Sequence, residues 1–170
     1  MKNRKRGFSL VELLIVLAVI AALIATITPV ALNAIRKSKA TQVAQNLKTL
    51  ASAIENAAYV NGVFPASDTN NNAGKIRNAV NDSPIELEDL GRDINGKEYT
   101  VFYTGTNGRY TATVVFVGET EIALVKHTLA QAMTDTFDEL NSGIQLTSTD
   151  WNANPGDDTV VYYRIEFDVY

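Results

Sequence analysis

The chain has 170 residues, 46% hydrophobic and 20% charged, with a formal net charge of −4. The length suits one domain, or one domain with an appendage, and the proportions exclude a disordered or collagen-like chain. With no cysteine and one histidine, His127, a disulfide framework, a thiol nucleophile, a thiolate metal site and a multi-histidine zinc site are ruled out.

The charge is unevenly placed. Four of the fifteen basic residues, Lys2, Arg4, Lys5 and Arg6, fall in the first six positions. From Phe8 to Ala34 the only charge is Glu12. About 20 apolar residues span a bilayer core, so this run is long enough. Residues 35–170 are not membrane-like: they carry eleven Lys/Arg against eighteen Asp/Glu. Such an acidic body is not built to coat nucleic acid.

A secretory signal peptide would end in an A-x-A site, and none occurs between Leu14 and Ala34. A plain single-pass anchor fits the length, and the basic flank favours a cytoplasmic N-terminus. Neither reading explains Glu12. A carboxylate in an apolar helix costs roughly 2.5–3.5 kcal/mol at the helix centre and less near an end. It therefore lies at the interface or awaits a cation.

The stretch Lys5-Arg6-Gly7-Phe8-Ser9-Leu10-Val11-Glu12-Leu13-Leu14-Ile15 resembles the leader and N-terminus of type IV pilins and the related type II secretion pseudopilins. The resemblance covers residues 1 to about 60. It implies that a prepilin peptidase removes residues 1–7 by cutting after Gly7, and that Phe8 is then N-methylated. It implies that Glu12 pairs with the N-terminal amine of a neighbouring subunit, and that Pro29 marks a helix break. The implied assembly surface comprises Phe8, Leu10, Glu12, Leu13, Leu14, Leu17 and Ile20. Partners would be copies of the chain, the peptidase and N-methyltransferase, the inner-membrane assembly machinery, and the membrane before assembly. The expected location is the inner membrane and then an extracellular filament, or a periplasmic pseudopilus. No specific nucleic acid is expected.

Beyond the apolar run, Val43, Leu47, Leu50, Ala51, Ile54 and Ala58 recur at helical spacing. One helix is expected from Phe8 to about Tyr59, with a filament-core half over 8–34 and an amphipathic half in the head, 35–170. Residues 61–97 read as a long connection. Within it, Ser83-Pro84-Ile85-Glu86 predicts a capped short helix over 84–90, stopped by Gly91.

Tyr99–Thr104 and Arg109–Val117 predict two strands joined through Gly105-Thr106-Asn107-Gly108. Ile122, Val125, Leu129, Met133, Phe137 and Leu140 predict a late helix over 120–140. Ile144–Leu146 is a short strand candidate. Val161, Tyr163, Ile165, Phe167 and Val169 alternate with Tyr162, Arg164, Glu166, Asp168 and Tyr170, predicting a final strand. The expected class is α+β and pilin-like: a long N-terminal helix under an antiparallel sheet, with an additional late helix.

No enzymatic signal emerges. His127 lies off the apolar stripe and reads as a surface residue, and no serine sits in a Gly-x-Ser-x-Gly elbow. No cofactor is expected. Calcium is a weaker candidate, because Asp150, Asn152, Asn154, Asp157 and Asp158 place oxygen ligands in one loop. Pro155 and Val161 stand where an EF-hand requires glycine and glutamate. The helix between Phe8 and Tyr59 has no aromatic residue, so an aromatic conduction path is not supported. The reading is a pilus subunit. Its alternatives are a secretion pseudopilin or minor pilin, or an anchored binding domain that never polymerises.

Overall fold

No glycine occurs between Gly7 and Gly62, and most residues between them favour helix. In the computed structural model this stretch forms α1, Leu10–Asn61. The structure describes residues 8–65, 67–68, 72–91, 94–140, 143–148, 151 and 159–170. The chain divides into two compact units, Met1–Ser38 and Lys39–Tyr170. α1 runs through Pro29, so the break expected there is absent from this subunit. Proline removes one i to i−4 bond, yet the helical path continues. One turn earlier, the hydroxyls of Thr26 and Thr28 donate to the carbonyls of Leu23 and Ile24, at 2.9 and 2.7 Å.

The second unit is built on a five-stranded sheet. Its strands are β3 (Tyr99–Thr106), β4 (Arg109–Phe116), β5 (Met133–Thr136), β6 (Ile144–Leu146) and β7 (Thr159–Asp168). Their order is β5-β7-β4-β3-β6, every pair antiparallel. The β3–β4 hairpin turns at Asn107 and Gly108, both at positive φ (54° and 85°). That is the geometry of a two-residue turn whose twist matches the strands. A side chain at Gly108 would also lie 2.8 Å from the Val169 carbonyl oxygen. A small antiparallel pair, β1 (Arg77–Asn78) and β2 (Ser83–Pro84), precedes the sheet.

The core follows from two periodicities. Ala40, Val43, Ala44, Leu47, Leu50, Ala51, Ile54 and Ala58 form the buried face of α1. They cluster with alternate residues of the sheet: Tyr99, Val101 and Tyr103 on β3, and Tyr110, Ala112, Val114 and Phe116 on β4. The opposite face of the sheet is also covered. Phe102, Val115, Val160 and Tyr162 pack with Phe137 and Leu140, and Trp151 stacks on Phe137 at 6.4 Å. Tyr162, placed by alternation on the outward side, is therefore buried.

Two expected helices are corrected. The helix expected over 84–90 is a 3-10 turn at Leu87–Asp89, preceded by β2. Ser83 is held back by Asn81, whose Oδ1 accepts the Ser83 hydroxyl at 2.7 Å. The Ile85 amide donates to the Ile76 carbonyl. The cap falls three residues later, where Asp89 Oδ2 accepts the Glu86 amide at 2.9 Å. The helix expected over 120–140 is divided into α2 (Ile122–Thr128), strand β5 and α3 (Phe137–Leu140). β5 leaves the helical pattern because β7 offers it a ladder, Met133 opposite Tyr162 through Thr136 opposite Thr159. The late helix is thus two short ones. His127 is exposed at the end of α2.

Tyr103 ties the connection to the sheet. Its hydroxyl accepts the amide of fully buried Ile76 at 3.1 Å. Burial pushes the hydroxyls of Tyr99 and Tyr103 up to about 12. The neutral forms are therefore favoured by folding. Their contribution is fully present below about pH 10 and is lost as pH rises through about 12. Tyr103→Phe leaves the Ile76 amide without its acceptor and is expected to cost about 1–3 kcal/mol. It should also weaken the loss of stability between pH 10 and 12. Melts of the full chain in detergent across that range test both, and an unchanged midpoint would refute the role given to this hydroxyl.

Candidate functional site on the N-terminal helix

Phe8 stands before α1 and is 85% exposed. Leu10, Leu13, Leu14, Leu17 and Ile20 follow it, all exposed. Every residue from Phe8 to Lys39 is exposed, although an apolar surface of this size is costly in water. α1 is long and apolar enough to cross a membrane, and none of its most apolar stretch is buried within the chain. The expected assembly residues are thus all uncovered, with Phe8 just ahead of the helix and the rest on it. Gly7 lies outside the described residues, so the expected cleavage position has no geometry here.

Glu12 has a partner that sequence reading overlooked. The Ser9 amide donates to Glu12 Oε2 at 2.9 Å. Ser9 Oγ in turn accepts the Val11 amide at 3.4 Å, and the Ser9 carbonyl accepts the Leu13 amide at 3.2 Å. Ser9 thus occupies the cap position and Glu12 the third helical position, where the glutamate supplies its half of a capping box while the Ser9 hydroxyl caps the Val11 amide. Its signature, serine followed three residues later by glutamate, was present in Ser9-Leu10-Val11-Glu12. The arrangement satisfies amides that the helix start leaves unpaired, and it sets a carboxylate at the positive end of the helix dipole. The same carboxylate retains acceptor capacity, since an ionised carboxylate has about four lone-pair sites. One backbone donor leaves room for a cation.

The calcium candidates Asp150, Asn152, Asn154, Asp157 and Asp158 lie outside the described residues. Among the described residues, no group of three or more His, Cys, Asp or Glu side chains is arranged to hold a metal ion. Half-buried Asp135 and exposed Glu139 form a pair. A hydrogen bond from Glu139 to Asp135, reinforced by their like charge, raises the Glu139 carboxyl above its usual range.

Residues 2–28 match a family model described as the prokaryotic N-terminal methylation motif. No curated protein and no solved structure matches the chain. The matched segment covers the basic flank, Gly7, Phe8, Glu12 and most of the exposed apolar helix. Together with the antiparallel α+β head, it supports a class III leader and a type IV pilin-like architecture. The motif implies processing by prepilin peptidase and anchoring in a membrane before assembly. It is common to pilins and pseudopilins and does not separate them.

Proposed function

We propose that the chain is a structural subunit of a type IV pilus filament. Cleavage after Gly7 exposes the Phe8 amine, which is then N-methylated. Subunits pack through their apolar helices, and Glu12 of one pairs with the amine of a neighbour. The observation that carries this reading is the exposed apolar surface of Phe8–Ile35, interrupted by one carboxylate and matched over residues 2–28 by the methylation motif.

The physical case is a division of labour. Apolar contacts are non-directional and tolerate axial slippage. A carboxylate that must meet an amine penalises every register in which it does not, because a buried unpaired charge costs several kcal/mol. Cohesion therefore comes from Leu10, Leu13, Leu14, Leu17 and Ile20, and register from Glu12. No catalytic residue or cofactor is needed. A type II secretion pseudopilin would use the same N-terminal chemistry in a shorter periplasmic fibre.

Intact-mass and N-terminal sequencing of protein sheared from the cell surface tests the reading. A chain beginning with methylated Phe8 in the sheared fraction is the expected result. A processed chain confined to membranes would favour the pseudopilin or a minor pilin. A chain still beginning at Met1 or Lys2 would overturn assembly altogether.

A further inference from the structure

The loop between β1 and β2, residues 79–82, is exposed throughout. It contains Asn81-Asp82-Ser83. Of the fifteen asparagines in the chain, Asn81 alone is followed two positions later by serine or threonine with a residue other than proline between. In a domain outside the cytoplasm that spacing is the acceptor pattern for an asparagine-linked glycan. Such triplets are common, so the geometry around this one decides its weight.

The loop is exposed yet closely held. The Asp82 amide donates to the Asn78 carbonyl at 3.0 Å, and the Val80 amide donates to Asn78 Oδ1 at 2.9 Å. Arg77 grips the Asp82 carboxylate and lies over the Phe64 ring, 5.0 Å from its centroid. Asp82 takes a positive φ of 54°, a region that aspartate and asparagine tolerate better than most residues. Across this turn Asn81 Oδ1 accepts the Ser83 hydroxyl at 2.7 Å and the Ser83 amide at 3.3 Å. The same hydroxyl lies 3.3 Å from the Pro84 carbonyl, and the shorter contact takes its proton. Pro84 confines Ser83 to extended backbone, in keeping with its place in β2.

This arrangement answers a chemical difficulty. An amide nitrogen is a poor nucleophile, because its lone pair is delocalised into the carbonyl. A hydroxyl donating to the amide oxygen makes the N–H more acidic and fixes the orientation of the group. Two donors engage the Asn81 oxygen. Its nitrogen is held by no acceptor among the described residues and sits on an exposed side chain.

We propose that Asn81 is the attachment site of an N-linked glycan, transferred from a lipid-pyrophosphate-linked oligosaccharide by a membrane transferase. In that step a bond forms between Asn81 Nδ2 and C1 of the first sugar, and the bond from C1 to the pyrophosphate oxygen breaks. The lipid pyrophosphate leaves with the bonding electrons, and one Nδ2 proton passes to a base of the transferase. The proposal requires the head to lie across the membrane from the basic N-terminus, which one candidate span among the described residues allows. It does not require the chain to polymerise.

The test uses the full chain, purified in detergent from the cells that make it. The tryptic peptide covering residues 78–92 is weighed and fragmented. The expected result is added sugar mass on Asn81. Asn81→Gln and Ser83→Ala should each lower the modified fraction at least about tenfold, whereas Ser83→Thr keeps the hydroxyl and should hold it within about twofold. Melting midpoints confirm that the variants fold. An unmodified peptide from the native chain would overturn the proposal. So would added mass that survives Asn81→Gln but not Ser83→Ala, which would place the sugar on the serine oxygen. Neither failure touches the filament reading, which stands on Phe8, Glu12 and the apolar helix.

Discussion

Replacing Glu12 with alanine is expected to reduce filament yield by at least about 100-fold while leaving the head folded. Removing one partner of a buried ion pair costs about 3–5 kcal/mol, because the other charge remains buried and unpaired. Each 1.4 kcal/mol is a factor of ten. The capping box makes the experiment more discriminating. Glutamine also serves at the third position of such a box, so Glu12→Gln preserves the contact with Ser9 and removes only the charge. If register depends on the ion pair, both variants fail alike. If the helix start is what matters, Glu12→Gln assembles and Glu12→Ala does not. Counting sheared filaments by electron microscopy beside membrane subunit levels separates these cases. Normal filaments from both variants would refute the role proposed for Glu12.

The second large effect is expected inside the head. Leu47 is fully buried on the α1 face that meets β3 and β4. Leu47→Ala removes buried methyl groups and leaves a cavity, for a loss of about 2–5 kcal/mol. In a domain of this size each kcal/mol lowers the midpoint by roughly 2–4 °C. Thr49→Ala, two residues away on the exposed face, should stay within about 0.5 kcal/mol. Thermal melts of both full-length variants in detergent provide the comparison. A loss below about 1 kcal/mol for Leu47→Ala would mean that this helix face does not form the core.

The elements that were legible share one property: their signals are local. Gly105-Thr106-Asn107-Gly108 between two β-rich runs marks a hairpin without help from distant residues, although pairing carries Gly105 and Thr106 into β3 and leaves Asn107-Gly108 as the turn. Val43, Leu47, Leu50 and Ile54 specify a buried helical face by spacing alone. Most of the residues missed or misread depend on partners elsewhere, the local Ser9–Glu12 contact being the exception. Met133 and Phe137 fit a helical period with Ile122 and Val125, and nothing nearby forbids one long helix. The chain breaks there because the edge of β7 satisfies the backbone of residues 133–136. Burial of Tyr162 likewise requires Phe137 and Leu140 to close over the far face of the sheet. Ser83-Pro84 shows the reverse case, a local capping signal overridden by contacts with Asn81 and Ile76.

At the site the balance is similar. Basic residues before Gly7, Phe8 after it, and one phased carboxylate in an apolar run are matters of order along the chain. The sequence by itself therefore determined the N-terminal motif, the helical character of the long apolar run and the hairpin, since each depends on neighbours a few positions apart. Only the tertiary structure decided that β5 joins β7 and that both sheet faces are covered; the helix through Pro29 and the Ser9–Glu12 contact are local features that the spacing did not single out. Both long-range decisions turn on which backbone or side-chain groups find a partner or a cover in space. Local spacing permits several such choices, and hydrogen bonding and burial select among them.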